Sequence, residues 1–515
     1  MNIKNFLVPL ALALITTWAI QYFIFNRFGS TDQNAEVKSG QTFVAPQSKL
    51  ETAPLNRNID FIDSDLSDSA SAVQTRIETD HAIYQFSEKG ASLEQLVFKR
   101  VMNGQVVSVP TLEIGPDQQN DQRCFLVALE QKTPLAYTLI EQKQLENATQ
   151  LAYSAQTDQA IIQKTFIVYQ SKLQIDLALT ITPKKDFVQA RIIYGAPYMA
   201  DVKDDIINAI YNSEKGTILK ESRTKLDLNK GWFSPTFFGS ENRYFVHAMV
   251  ADPQKFTQRA YYSIGAQAGL IAVLESTPIA QPTTWTVSFY FGPKEDAAMN
   301  LVDSRLEQTL DYSGLLAPLS RVLLLLLKYL YSFLHNYGLA IIIMTFLINL
   351  LLLPLNIRSA RSMKKMTEYQ KKLAYIQSRY KDDPEALARE RSELINKHGM
   401  PGLGGCLPKL LQLPIFFALS RVLSSSIELY KAPFALWIHD LSAKDPSYIL
   451  PLLIMISMMF VSTATDPKQR FMVIGMALIF GAVATTFSAG LCLYILIGIV
   501  LTGIQTLVQK KMNWA

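Results

Sequence analysis

His439, Asp440 and Ser442 carry the side chains of a hydrolytic triad, but they are nearly adjacent in the chain. A nucleophile, its base and the orienting acid must instead converge on one reacting atom. The five histidines show no metal-ligand spacing. Cys124, Cys406 and Cys492 are too few and too scattered for a zinc cluster or a disulfide framework. No G-x-x-x-x-G-K-[ST] loop is present, so no nucleotide site is expected. Neither catalysis nor a cofactor is therefore predicted. What remains is charge and polarity set among apolar stretches: the intramembrane cation Arg421 and a basic segment from Asn356 to Lys409. That segment holds 12 Lys and Arg against six acidic residues, a bias expected on the cytoplasmic side of a membrane.

The elements that position these groups follow from hydropathy and periodicity. The 515 residues are 49% hydrophobic and only 18% charged, although the first half looks soluble. Phe6 to Phe25 is apolar over about 20 residues, long enough to cross ~30 Å of hydrocarbon. Residues 1–28 are read as a signal anchor rather than a cleaved signal peptide, because Gln21, Tyr22 and Phe23 offer no small-residue cleavage site. Residues 29–60 have the Ser, Gln, Asn and Pro of a flexible tether. Over 61–312 the pattern turns to period two: Leu173, Ile175, Leu177, Leu179 and Ile181 alternate with mostly polar residues, and Trp285, Val287, Phe289 and Phe291 repeat the motif. A large antiparallel β-sandwich outside the membrane is expected, joined to the rest by the tether at one end and a helix at the other.

That helix, 313–335, is apolar but carries Arg321 and Lys328. If it spanned, the basic segment would fall outside, so it is read as lying in the outer interface with its cations snorkelling. Spans are expected at 338–355 and, four times, within 406–508, followed by a short cytoplasmic tail, 509–515. With the anchor this makes six transmembrane helices, five of them in the core. Within 356–405 an apolar stripe (Met363, Met366, Tyr369, Leu373, Ile376, Tyr380) marks one helix, and Asp383 and Pro384 start a second. The product is a basic helical hairpin, either a docking surface or a solvated loop. Its candidate contacts are Arg358, Arg361, Lys364, Lys365, Lys371 and Lys372, with Lys468 and Arg470 from a later short loop.

Gly404 to Leu419 (GGCLPKLLQLPIFFAL), Ala432 to Ser442 (APFALWIHDLS), Thr465-Asp466-Pro467, Phe487 to Leu491 and Ile341 to Phe346 together resemble the YidC-type membrane protein insertases. The close match covers about 338–508, and the anchor and outer domain agree in arrangement with the Gram-negative branch. The resemblance implies an insertase and chaperone of the bacterial inner membrane, both termini cytoplasmic, acting with or without the Sec translocon and its accessory subunits. Its partners would be nascent membrane proteins, lipids and the ribosome. The implied device is a hydrophilic groove open to cytoplasm and lipid. The physical need is plain, since an unpaired polar group in hydrocarbon costs several kcal/mol.

The family usually places a groove arginine four residues after Thr345, where this chain has Asn349. Thr345 and Asn349 share a helix face and could line the groove together, or Asn349 could bond between helices. Arg421 either compensates in the groove or snorkels outward, since it lies ~22 Å past Cys406 at 1.5 Å per residue. Gln412 and Tyr494 are further groove candidates by resemblance, with packing as the alternative. A transporter or channel is the rival reading, disfavoured by the lack of an inverted repeat. An envelope sensor or assembly protein with a ligand-binding outer domain is another.

Overall fold

The computed structural model describes Leu55 and residues 73–511, except 103–104, 114–122, 130–134, 185–187, 199–205, 214, 266–268, 311–315, 382, 399–406 and 462–466. The expected anchor, nearly all of the tether, the start of the GGCLP motif and the last four residues lie outside this set.

The outer domain forms three sheets of four, five and nine strands, and every described strand pair is antiparallel. The two alternating runs seen in sequence are neighbours in the nine-stranded sheet. Strand Gln174–Pro183 pairs with Thr283–Pro293, setting Leu179 opposite Trp285, Leu177 opposite Val287 and Ile175 opposite Phe289. These six side chains are buried, so one sheet face forms the core, as period two requires. Aromatic packing closes it: the Phe125 ring lies 4.9 Å from Phe291 and 5.0 Å from Phe289.

Among the described residues the α-helices are α1 (Asp296–Asn300), α2 (Ala317–Leu334), α3 (Tyr337–Arg379), α4 (Pro384–His398), α5 (Leu407–Ser425), α6 (Ile449–Val461), α7 (Pro467–Ala484) and α8 (Ala489–Lys511). By length and composition α2, α3 over Tyr337–Pro354 and α8 over Ala489–Gln509 can each cross a membrane, and α6 and α7 contain shorter apolar helices. The boundary expected at 355/356 is absent: α3 runs through Pro354 into the basic segment as one helix of 43 residues. A proline is tolerated in a spanning helix where neighbours take over the freed carbonyl. The end of α3 and the start of α4 agree with the sequence, because Asp383 Oδ1 accepts the amides of Glu385 and Ala386 at 3.1 and 3.0 Å. Ile376 of the apolar stripe is buried, as is Leu394 of α4, and the two helices pack together. At this end the stripe is partly covered within the hairpin.

The turn between α2 and α3 is two residues long. His335 closes α2 in the left-handed region at φ 53°, and Asn336 caps α3 by accepting the Leu339 amide at 3.1 Å. Asn336 Nδ2 also donates to Phe434 O at 3.0 Å. A Cβ on Gly338 would lie 2.0 Å from the Phe434 ring, so only glycine lets α3 start against this loop.

Two expectations about the outer region need correction. The cations of α2 do not simply snorkel: Arg321 meets Glu307 and Lys328 meets Glu428, both at 2.6 Å. Nor do the tether and α2 alone join the outer domain to the helices. Arg243 and Tyr244 both donate to Ser424 O at the end of α5, Arg100 donates to Ile427 O, and the Tyr244 and Tyr430 rings lie 4.9 Å apart. The last carbonyls of a helix have no intrahelical partner, which makes the α5 terminus a natural acceptor.

Candidate polar track among the apolar helices

The helix packing is sequential: α2 lies against α3 and α5, α3 against α8, and α8 against α6, which packs on α7. Where α3, α5 and α8 meet, polar side chains interrupt apolar surfaces. Thr345 is fully buried and its Oγ1 donates to Ile341 O at 2.6 Å. Asn349 is half-buried, and its Nδ2 donates to Thr345 O at 2.9 Å. Such bonds back to the helix satisfy donors that hydrocarbon would leave unpaired. Thr345 is therefore inside the packing, while Asn349 is the partly open member of the pair.

One further polar position on α3 went unseen in the sequence. Asn356 follows Asn349 by seven residues, two turns along the same face, and its Nδ2 donates to Gln505 Oε1 of α8 at 3.4 Å. On α8, Thr502 and Thr506 bond back to Gly498 O and Thr502 O, both at 2.8 Å, and Gln509 is buried. The i, i+4 repeats 502/506 and 505/509 were the available signal. Gln412 of α5 and Tyr494 of α8 are brought together: the Gln412 side chain bears on the Tyr494 hydroxyl. That hydroxyl is buried and, among the described residues, makes no hydrogen bond of good geometry. A buried hydroxyl without a well-formed bond is costly.

Arg421 lies nearer a helix end. It is half-buried, one turn before the end of α5, and Ser425 Oγ donates to its carbonyl at 2.5 Å. At 1.5 Å per residue it lies ~6 Å from that end, whereas Asn349 lies ~18 Å from the start of α3. A cation near a helix C-terminus is favoured by the macrodipole, so this position suits Arg421 whether or not it faces the track. Of the basic candidates, Arg358, Arg361, Lys364, Lys365, Lys371 and Lys372 all lie on α3, with Lys372 exposed. Lys468 and Arg470 lie in the first turn of α7, with Arg470 exposed.

The loop after α5 holds His439 apart from the other two members of the apparent triad. Ser442 is buried and its Oγ donates to Asp440 Oδ1 at 2.7 Å. His439 is exposed and, among the described residues, bonds to neither. Asp445 binds Trp437 Nε1 at 3.1 Å and caps the start of α6 through the Leu450 amide at 2.7 Å. These groups staple the loop.

Comparison with known proteins agrees with both halves of the chain. The model of the YidC periplasmic domain matches residues 74–326 and that of the 60Kd inner membrane protein matches 329–514. A membrane protein insertase YidC from Geobacter sp. (strain M21) is 37% identical over 58% of this chain and 59% of its own length. One from Geotalea uraniireducens (strain Rf4) is 30% identical over 85% of this chain and 87% of its own. The matched part thus spans less than two thirds of the Geobacter protein and most of the Geotalea one. A solved YidC insertase is similar at 16% identity and a TM-score of 0.38, covering 85% of this chain and 93% of that one. With both family models matched and a 30% identical relative covered over most of its length, the chain belongs to the YidC family of membrane protein insertases.

Proposed function

We propose that this protein is a membrane protein insertase and chaperone of the bacterial inner membrane, acting without nucleotide or metal. The observation that carries the reading is the polar track of Asn349, Asn356, Gln505, Gln412 and Tyr494 within otherwise apolar helices. A nascent polar tail crossing hydrocarbon loses its water, and side chains that can bond to it shorten the dry path. The apolar segment that follows leaves sideways into lipid, driven by its own hydrophobicity. Nascent membrane proteins and lipid are the primary partners. The Sec translocon with its accessory subunits, and the ribosome through the α3–α4 hairpin and Arg470, are further ones.

In this reading α3, α5, α6, α7 and α8 are the five core spans, the N-terminal anchor is the sixth, and both termini are cytoplasmic. Interfacial placement of α2 is supported by its contacts. Eighteen residues would span ~27 Å if upright, yet the ion-pair partners along its length, Glu307 and Glu428, belong to the outer end, as does Phe434 just past it, while Ser320 near its start donates to Ala418 O of α5 at 3.3 Å. Its exposed stripe of Val322, Leu325, Tyr329 and Phe333 suits the boundary between headgroups and acyl chains.

Depletion in cells tests the proposal. Newly made inner-membrane proteins should lose integration while solute uptake and the envelope persist at first. Loss of one solute's uptake with normal integration would indicate a transporter, and an early envelope defect with normal integration an assembly protein; either overturns the proposal.

A further inference from the structure

Where the outer domain meets the segment after α5, a cleft of about 180 Å³ opens between Phe98, Val109, Leu173 and Phe245 of the domain and Ile427. Ala298 of α1 and Leu301, the latter 64% exposed, form its rim. The floor is apolar and the flanks are cationic. Lys99 is held by Glu78 at 2.6 Å, but Arg100 and Lys172 have no carboxylate partner among the described residues. Arg100 donates to Ile427 O, and Lys172 donates to Gln174 Oε1 at 2.7 Å while lying over the Tyr169 ring. His81 and one carboxylate, Glu295, complete the polar lining.

We propose that this cleft binds an anionic phospholipid of the outer leaflet, the phosphate between Arg100 and Lys172 and the start of one acyl chain on Phe98 and Leu173. A lining so apolar is poorly suited to a free anion, and two unpaired cations are poorly suited to an uncharged apolar ligand. The volume admits a phosphate or a few methylenes and is too small for a folded segment. Height supplies the remaining argument and rests on the topology proposed above. Ile427 is two residues past the end of α5, and the exposed apolar stripe of α2 lies on the same outer side, which sets the cleft at headgroup level. Near an anionic surface each Lys or Arg contributes about fivefold in affinity, or ~1 kcal/mol.

The test is native mass spectrometry of the full detergent-solubilised chain, titrated with dioleoyl-phosphatidylglycerol, dioleoyl-phosphatidylcholine or glycerol 3-phosphate. Phosphatidylglycerol should be retained in preference to both others. Arg100→Gln and Lys172→Gln should each weaken that retention about fivefold, and Ala298→Trp, which fills the cleft without changing charge, should abolish it. Melting temperatures identify any variant that fails to fold; Lys172→Gln, on an exposed turn, remains informative if Arg100→Gln is lost. Equal retention of the two lipids refutes the site, as does retention of glycerol 3-phosphate equal to that of phosphatidylglycerol. Sensitivity to the charge changes with none to Ala298→Trp refutes the cleft in favour of diffuse surface charge. Retention is read without any insertion assay, so failure of the insertase reading would be seen separately.

Discussion

Lys328 of α2 and Glu428 after α5 form the ion pair that ties the outer helix to the core, and its strength can be bracketed. The N–O distance is 2.6 Å, with the Glu428 side chain 8% exposed and Lys328 34%. Exposed pairs are worth ~0.2–1 kcal/mol, and breaking a fully buried pair costs ~3–5 kcal/mol because one charge is stranded. This pair is asymmetric: Lys328→Met strands a buried carboxylate and should cost ~2 kcal/mol, whereas Glu428→Gln frees a cation that reaches water and should cost ~1 kcal/mol. The double variant should recover most of the first loss, giving a coupling of ~2–3 kcal/mol in a double-mutant cycle. Reversible unfolding in mixed micelles reads the equilibrium, where 2 kcal/mol is about thirtyfold. Labelling of a cysteine at Leu325 reports whether α2 has moved. A coupling below ~0.5 kcal/mol, within the error of additivity, would show that this contact does not fix α2.

Other consequences concern the outer domain and Arg421. Burial lowers the pKa of His247 from 6.5 to about 4, so the unfolded chain binds the proton more readily. Stability from this group is complete above pH ~6.5 and falls as pH drops toward 4, by roughly 3 kcal/mol; a pH–stability curve for His247→Gln should be flatter over that window than the parent's. Gly239→Ala should destabilise by ~3 kcal/mol or more, since the added Cβ would lie 2.2 Å from His247 O and 2.6 Å from Ala248 Cα, backbone atoms that cannot turn aside; a loss under ~1 kcal/mol in chemical denaturation would contradict the strand packing. Arg421→Ala should cost no more than ~1 kcal/mol and leave the ratio of acidic-tail to neutral-tail insertion within about twofold. A selective tenfold loss of acidic tails would return Arg421 to the track.

Period two at Leu173–Ile181 and at Trp285–Phe291 was legible because one face of each strand is buried, though not that the two strands are neighbours. Apolar length gave the helices, and Asp383 with Pro384 gave a helix start that the capping bonds bear out. The change from apolar to basic residues after Leu355 misled in the opposite sense, because it marks a change of surroundings and not the end of the helix. The polar track was half legible: Thr345 and Asn349 share an obvious face, whereas Asn356 finds Gln505 only through the packing of α3 on α8. Least legible was the docking of the outer domain, where Arg100 and Arg243 bond to backbone carbonyls more than 180 residues away, as the sequence separations of 327 and 181 show. Carbonyl acceptors leave no signature in side-chain pattern. Lys164 makes the same point inside the domain, fully buried with its ammonium 2.6 Å from both Gly90 O and Phe125 O.

The central claim is that nascent chains pass along the track between α3, α5 and α8. A photo-crosslinking residue placed singly at Asn349, Gln412 or Gln505, with Leu325 on the exposed face of α2 as control, reports this directly on a stalled membrane protein. Crosslinks from the three track positions, strongest while the polar tail is crossing and weak from Leu325, are the predicted result. Crosslinks no stronger at Asn349, Gln412 and Gln505 than at Leu325, with the variants folded and the client still inserted, would contradict it.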